Sequence, residues 1–288
     1  MSQQIEFEVS QKEKFYFGVK VLASVILYPL IFGGLYLTMT MGQTAIMAMF
    51  LVYVAMILFF LMLRFGIFIG YIKGNAVKVS QAQFPDVYEI ASRQSVSLGL
   101  PEVPDIYIMQ SGGVLNAFAT NFFGTNYVVL YSEFVDASIA EDKNMLEFVI
   151  GHELGHIKRK HLLKRVLLFP SSIVPFLGAA YSRGCEYTCD SIGAVLCPRG
   201  ARNGLLLLVS GRGLFRRVNV AEYVNQGYNE SGFWTWMAEK ISSHPHITKR
   251  VERFKDFKSD EKVNPAYATQ SPGEPRQSAG DYSRYMPR

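Results

Sequence analysis

His152, Glu153 and His156 fall within one short stretch, His152-Glu153-Leu154-Gly155-His156. On a helix the two histidines lie one turn apart on the same face, so both imidazoles can reach one metal ion. Glu153 then sits beside that ion, where it can take a proton from a water that the metal activates. The chain has five histidines, at 152, 156, 161, 244 and 246. An ordinary solvated helix can also carry two histidines four apart. Here Phe148-Val149-Ile150 leads into the stretch, and Leu154 and Ile157 continue an apolar side. That pattern fits a helix that buries one face around a metal.

A catalytic zinc takes three protein ligands and leaves a position for water. His161 lies five residues after His156, about 140° further around a continuous helix. Ile157-Lys158-Arg159-Lys160 carries no glycine that would break the helix. His161 is therefore expected to point away from the metal unless the helix breaks first, and to take a polar role or one behind a ligand instead of binding the metal. Glu186 and Asp190 are four apart and share a helical face. Glu186 could bind zinc while Asp190 holds the free nitrogen of a ligand histidine; equally, both could be acids on a solvated surface. His244, in Ser243-His244-Pro245-His246, is a third candidate on a weak motif. Cys185, Cys189 and Cys197 form no CxxC, which excludes a zinc finger. They are expected to be reduced residues of a core or helix. The cysteine-bearing EGCLS motif of peptide deformylases, which also use HExxH, is missing.

Further motifs occur in order along the chain: Asn116-Ala117-Phe118-Ala119-Thr120, Tyr127-Val128-Val129-Leu130-Tyr131-Ser132, HELGH, Tyr181-Ser182-Arg183 with Glu186 and Asp190, and Ser243-His244-Pro245 with Arg250. From about Gly74 to about Phe254 the chain thereby resembles the HtpX-like membrane zinc metalloproteases. That family, of gluzincin type, also includes the type 1 CAAX prenyl proteases. The resemblance implies one Zn2+ per chain, with Glu186 as third ligand and Asp190 behind a ligand histidine. It implies that Asn116, Ala117, Phe118, Ala119 and Thr120 form an edge strand to which an extended substrate adds. It also implies that His244 lies close to the metal, as a possible catalytic group, with Arg250 following it.

These residues need elements to position them. Val21 to Met41 and Ala45 to Leu63 are uncharged apolar runs, each long enough to cross a hydrocarbon core of about 30 Å as a helix. Only Gly42-Gln43-Thr44 separates them, which predicts a transmembrane hairpin over 21–72. The first run is too long for a cleaved signal peptide, and a second span follows it. Lys12, Lys14 and Lys20 precede the first apolar run, and Arg64, Lys73 and Lys78 follow the second. The positive-inside rule then places the N-terminal segment 1–20 and the domain 73–257 in the cytosol. A bacterial-type inner, or cytoplasmic, membrane fits best. The net charge of +5 suits an anionic bilayer surface, and no nucleic-acid motif is present.

A third apolar run, Val166 to Tyr181, separates HELGH from Glu186. One crossing there would put the two on opposite sides of the bilayer. The run is also short and contains Pro170 and Pro175. A hairpin that dips into the interface over 166–181 and returns is expected, in place of the two full spans that relatives such as HtpX carry.

A helix is predicted from Phe84 to Leu98, a strand from Pro104 to Gln110, and strands at Val114–Asn121 and Asn126–Phe134. The metal helix should begin near Asp142, and a further helix should span Gly204 to Phe215. Phe233-Trp234-Thr235-Trp236 suits either the core or lipid headgroups. The tail 258–288 is polar and proline-containing, as in a disordered segment. The fold class is therefore α+β: a mostly helical zincin-type domain with a small antiparallel sheet, preceded by a transmembrane hairpin. The expected function is zinc-dependent endopeptidase cleavage of unfolded or membrane-protein substrates, and the resemblance implies a part in protein quality control. The alternatives are processing of prenylated peptides and a membrane scaffold without catalysis.

Overall fold

Two long helices, α1 (Gln11–Thr40) and α2 (Thr44–Asn75), open the chain and form a hairpin. Residues 5–256 are described in this computed structural model. The tail expected at 258–288 lies outside the described residues. Both helices meet the length and composition needed to cross a membrane, and their apolar side chains are exposed over most of their length. α1 runs unbroken through position 20, and α2 through position 72. The first turns of α1 and the last turns of α2 pack against the domain that follows: Glu13, Lys20 and Ser24 are buried on one side, Ile69 and Ile72 on the other.

The next elements are β1 (Val77–Lys78), α3 (Pro85–Ser97), β2 (Asp105–Met109), β3 (Ala117–Phe122) and β4 (Thr125–Tyr131). The sheet order is β1-β2-β4-β3. β1 with β2 and β3 with β4 are antiparallel, but β2 with β4 is parallel. The expectation of an antiparallel sheet is thus corrected to a mixed one. β3 takes the outer edge, so β4 returns alongside β2 in the same direction. Phe123 and Gly124, both at positive φ, close the β3–β4 hairpin. One sheet face covers Ile69 and Ile72 of α2 with Tyr107, Tyr127 and Val129. Phe118 and Phe122 of β3 pack on Phe68 and Phe65, with ring centroids 6.0 and 5.6 Å apart. The second apolar helix thereby fixes the edge strand.

β4 ends at Tyr131, three residues earlier than the alternation suggests, and α4 (Ser132–Glu141) follows. α5 (Lys143–Lys158) begins after Asp142, whose side chain accepts from the Asn144 N–H at its start. After α6 (His161–Leu167) and a 3-10 turn (Phe169–Ile173) comes α7 (Leu177–Leu196), then α8 (Pro198–Ser210). α8 starts earlier and ends sooner than expected, because Pro198 suits a first helical turn and Gly211 takes positive φ. α9 (Val220–Asn229), α10 (Phe233–Ile241) and α11 (Ile247–Glu252) complete the domain.

The core forms where α5, α7 and α8 meet the sheet, around Leu146, Phe148, Ile150, Leu154, Ile192 and Leu205. α5 and α7 approach closely because Gly193 lacks a side chain. A Cβ there would lie 2.7 Å from the Phe148 carbonyl oxygen. This close crossing brings the two halves of the candidate site together.

The run 166–181 comprises the end of α6, the 3-10 turn and the start of α7. Val166, Leu167, Phe169, Ile173 and Phe176 are exposed at its tip. Tyr28, well inside the first apolar run, donates through its hydroxyl to the Leu167 carbonyl at 2.8 Å. α10 buries none of its residues, and Trp234 and Trp236 are exposed.

Candidate metal centre

α5 presents His152 and His156 one turn apart, and α7 presents Glu186 opposite them. His152 Nε2 lies 3.3 Å from His156 Nε2 and 3.4 Å from Glu186 Oε2; His156 Nε2 lies 3.4 Å from Glu186 Oε1. Ligand atoms about 2.0–2.1 Å from a zinc ion in a tetrahedron would be about 3.3–3.4 Å apart. The two histidine nitrogens have that spacing, and each has it to one of the two Glu186 oxygens. Two facing ring nitrogens and a buried carboxylate also make a site that calls for a cation. The residues present therefore fit zinc.

The surrounding charges are set by burial and by partners. Burial opposes ionisation of His152, but hydrogen bonds with Asp190 and Glu186 outweigh it and raise its pKa to about 10. Burial also opposes the Glu186 carboxylate. The facing His152 and His156 outweigh that effect and hold it well below the usual range. Asp190 is fully buried, yet the Arg250 charge and the His152 hydrogen bond bring it down to about 2. His152 Nδ1 lies 3.0 Å from Asp190 Oδ1, so Nε2 is turned toward the cluster. Arg250 donates to both Asp190 oxygens, at 2.9 and 2.7 Å.

Glu153 is buried beside the cluster, and among the described residues no hydrogen bond engages its carboxylate. His244 is exposed, yet its Nε2 lies 3.5 Å from Glu186 Oε1. Asn116 precedes β3, and Ala117, Phe118, Ala119 and Thr120 lie within it. β3 pairs only with β4 in the described sheet, and it packs against α5. The Asn116 carbonyl accepts from the Tyr131 N–H, while the Ala117 N–H turns the other way and meets the Asn116 side chain. By alternation, Ala117 and Ala119 direct their backbone groups to the open edge.

One expectation is overturned. The helix does not continue through Lys160: α5 ends at Lys158, and Lys160 takes φ 51°. α6 therefore starts in a new direction at His161. His161 Nδ1 comes within 3.0 Å of His156 Nδ1, so it faces the metal-distal side of that ring. Burial lowers His161 to about 4, which leaves it neutral.

Two residues without a prior assignment also belong here. Glu13 of α1 reaches His161, with Oε1 3.3 Å from Nε2. Arg183, one turn before Glu186, donates to the carbonyls of Glu239, Lys240 and Ser242 at 2.7–2.9 Å. It ties the end of α10, and so the strap carrying His244, to α7. Arg183 belongs to Tyr181-Ser182-Arg183. The signal for Glu13 was its spacing from Lys20 and Ser24, which places all three on one face of α1.

Other residues could also group around a cation. Glu13, His161 and Cys185 are one such set, and His156, His161 and Cys189 another. Arg159 and Lys164 lie 2.8 and 3.9 Å from Glu13, which repels a cation from the first. Burial pushes the Cys185 thiol up to about 12 and raises that of Cys189 as well. All three cysteines are free and buried, as expected for small packing residues.

The chain matches peptidase family M48 over residues 81–176. A protease HtpX homologue of Gemmatimonas aurantiaca is 33% identical over 223 residues, which cover 62% of this chain and 77% of that protein. A CAAX prenyl protease 1 homologue of Dictyostelium discoideum is 35% identical over 97 residues, 32% of this chain, and the match spans 21% of that relative's length. The crystal structure of S. mikatae Ste24p aligns at 14% identity and a TM-score of 0.44, over 83% of this chain and 66% of that one. The chain belongs to peptidase family M48, with the HtpX homologue that it matches over most of that protein's length.

Proposed function

We propose that the protein is a membrane-anchored zinc endopeptidase in which His152, His156 and Glu186 hold the metal. The observation that carries this reading is the convergence of His152 Nε2, His156 Nε2 and the two Glu186 carboxylate oxygens at 3.3–3.4 Å, beside a buried Glu153 whose carboxylate makes no hydrogen bond among the described residues. Zinc bound there supplies Lewis acidity, lowering the pKa of water toward about 7 and polarising the scissile carbonyl. Glu153 takes the proton from the attacking water and delivers it to the leaving amine. Asp190, held by Arg250, keeps His152 in the tautomer that leaves Nε2 available. His244, on the strap that Arg183 ties down, stands where it can donate to the developing oxyanion.

The substrate lies extended along β3 and pairs with the outward backbone groups of Ala117 and Ala119. Such pairing selects unfolded or loop segments over a fixed sequence, in keeping with quality control of membrane proteins. The hairpin α1–α2 anchors the chain, with the domain 73–257 on the cytosolic side of a bacterial-type inner membrane, as the flanking basic residues favour. The exposed tip at 166–176 enters the bilayer beside Tyr28. Two spanning hydrophobic helices among the described residues give little support to a prenyl-peptide chamber. The test is cleavage of casein by detergent-purified protein with and without zinc, and by a Glu153→Gln variant. The reading predicts zinc-dependent cutting that the variant loses. Cutting by the variant would overturn it.

A further inference from the structure

The two candidate histidine ligands are backed differently. His152 Nδ1 meets the Asp190 carboxylate directly, whereas His156 Nδ1 meets another imidazole, that of His161. A ring that binds metal through Nε2 must carry its proton on Nδ1 and needs an acceptor there. His161 Nδ1 can be that acceptor only if the His161 proton sits on Nε2. His161 Nε2 in turn lies 3.3 Å from Glu13 Oε1, and both residues are buried.

We propose that Glu13, on the helix leading into the first apolar span, is a positioning residue for the metal centre. It acts through His161 to fix the tautomer and orientation of His156. This inference rests on the reading of His156 as a zinc ligand and extends it to α1.

Three contacts place Glu13 with little freedom. Arg159, the residue at which α5 ends, donates to Glu13 Oε1 at 2.8 and 3.2 Å. The Ser10 N–H donates to the Thr188 hydroxyl at 3.1 Å, which ties the start of α1 to α7. The backbone of α1 also lies directly on Gly184 of α7. A Cβ at Gly184 would stand 2.6 Å from the Glu13 nitrogen and 2.8 Å from its Cα. Both are backbone atoms, so no side-chain movement could relieve the clash. Glycine at 184 thus allows α1 close enough for Glu13 to reach His161.

The metal centre consequently has three parts: α5 and α7 supply the donors, and α1 supplies the carboxylate behind one of them. Docking of the anchor helix and completion of the site are one event. Loss of a partner behind a metal-bound histidine typically weakens metal binding 10–100-fold.

The experiment measures zinc affinity by chelator competition, together with the melting temperature of the metal-free protein, for the full chain in detergent. Wild type is compared with Glu13→Gln, Gly184→Ala and His161→Phe. The last keeps a ring in the buried slot and removes both nitrogens. The expected result is a 10–100-fold loss of zinc affinity in Glu13→Gln, larger than its loss of metal-free stability explains, with a shifted visible spectrum of the cobalt-loaded form. His161→Phe is expected to show the same loss, which tests the relay even if Glu13→Gln does not fold. Gly184→Ala should weaken zinc with both ligand histidines intact. Wild-type affinity and cobalt spectrum in Glu13→Gln or His161→Phe would overturn the inference, as would an affinity loss no larger than the loss of metal-free stability explains. A wild-type protein that bound no zinc would instead overturn the metal-site reading itself.

Discussion

Arg250 and Asp190 form a buried two-pronged pair, with Nε donating to Oδ2 at 2.9 Å and Nη2 to Oδ1 at 2.7 Å. Arg250 comes from α11 and Asp190 from α7, sixty residues earlier. The pair holds the carboxylate that faces His152, so the last helix of the described chain helps to orient a candidate metal ligand.

Removing Arg250 takes the two-pronged partner from the buried Asp190 charge and leaves it facing His152. Breaking one side of a buried pair costs about 3–5 kcal/mol. Arg250→Ala is expected to lower the denaturant midpoint accordingly and to weaken zinc binding as well. Arg250→Lys keeps the charge but loses the fork, and should fall between the two. Wild-type stability in Arg250→Ala would contradict the role given to the pair.

The pH dependence follows from the same groups. In the metal-free protein His152 is raised to about 10, above its ordinary 6.5. Its contribution to stability is full below pH 6.5 and is lost as pH rises toward 10. Asp190 is lowered from 3.8 to about 2, so its contribution is present above 3.8 and is lost as pH falls toward 2. A bound metal displaces the His152 proton. The zinc-loaded protein should therefore lack the alkaline loss that the metal-free protein shows between pH 6.5 and 10. Calorimetry in two buffers at pH 7 should record at least one proton released per zinc. Release of none would contradict this account of His152.

The edge strand can be tested without touching the metal. Proline at 119 removes an N–H directed to the open edge and leaves the β3–β4 ladder intact. Ala119→Pro should bind zinc normally and cleave an unfolded substrate about tenfold or more slowly, the scale of one lost backbone hydrogen bond. Undiminished cleavage would remove β3 as the substrate strand.

The sequence made some of this arrangement legible and concealed the rest, for physical reasons. HELGH is a local pattern, and helical spacing alone puts His152 and His156 on one face. Glu186 and Asp190 also share a face by spacing, but only the close approach at Gly193 decides that this face meets α5. The turn at Lys160 could not be read, because a lysine in left-handed backbone leaves no glycine or proline as a marker. That one residue reverses the direction of His161. Glu13 was hidden for a different reason. Its partners lie about 150 residues away, and a charge just before an apolar span reads as a flanking group. The parallel pairing of β2 with β4 was equally non-local, since it depends on which strand takes the edge.

The atoms that hold the metal can be identified directly. X-ray absorption at the zinc edge on the loaded protein separates the three candidate clusters, because two of them include a cysteine and the proposed one does not. The account predicts a shell of nitrogen and oxygen at about 2.0–2.1 Å with two imidazoles and no sulfur, weakened in Glu186→Gln. A zinc–sulfur distance at about 2.3 Å would place the metal at Cys185 or Cys189 and contradict the account.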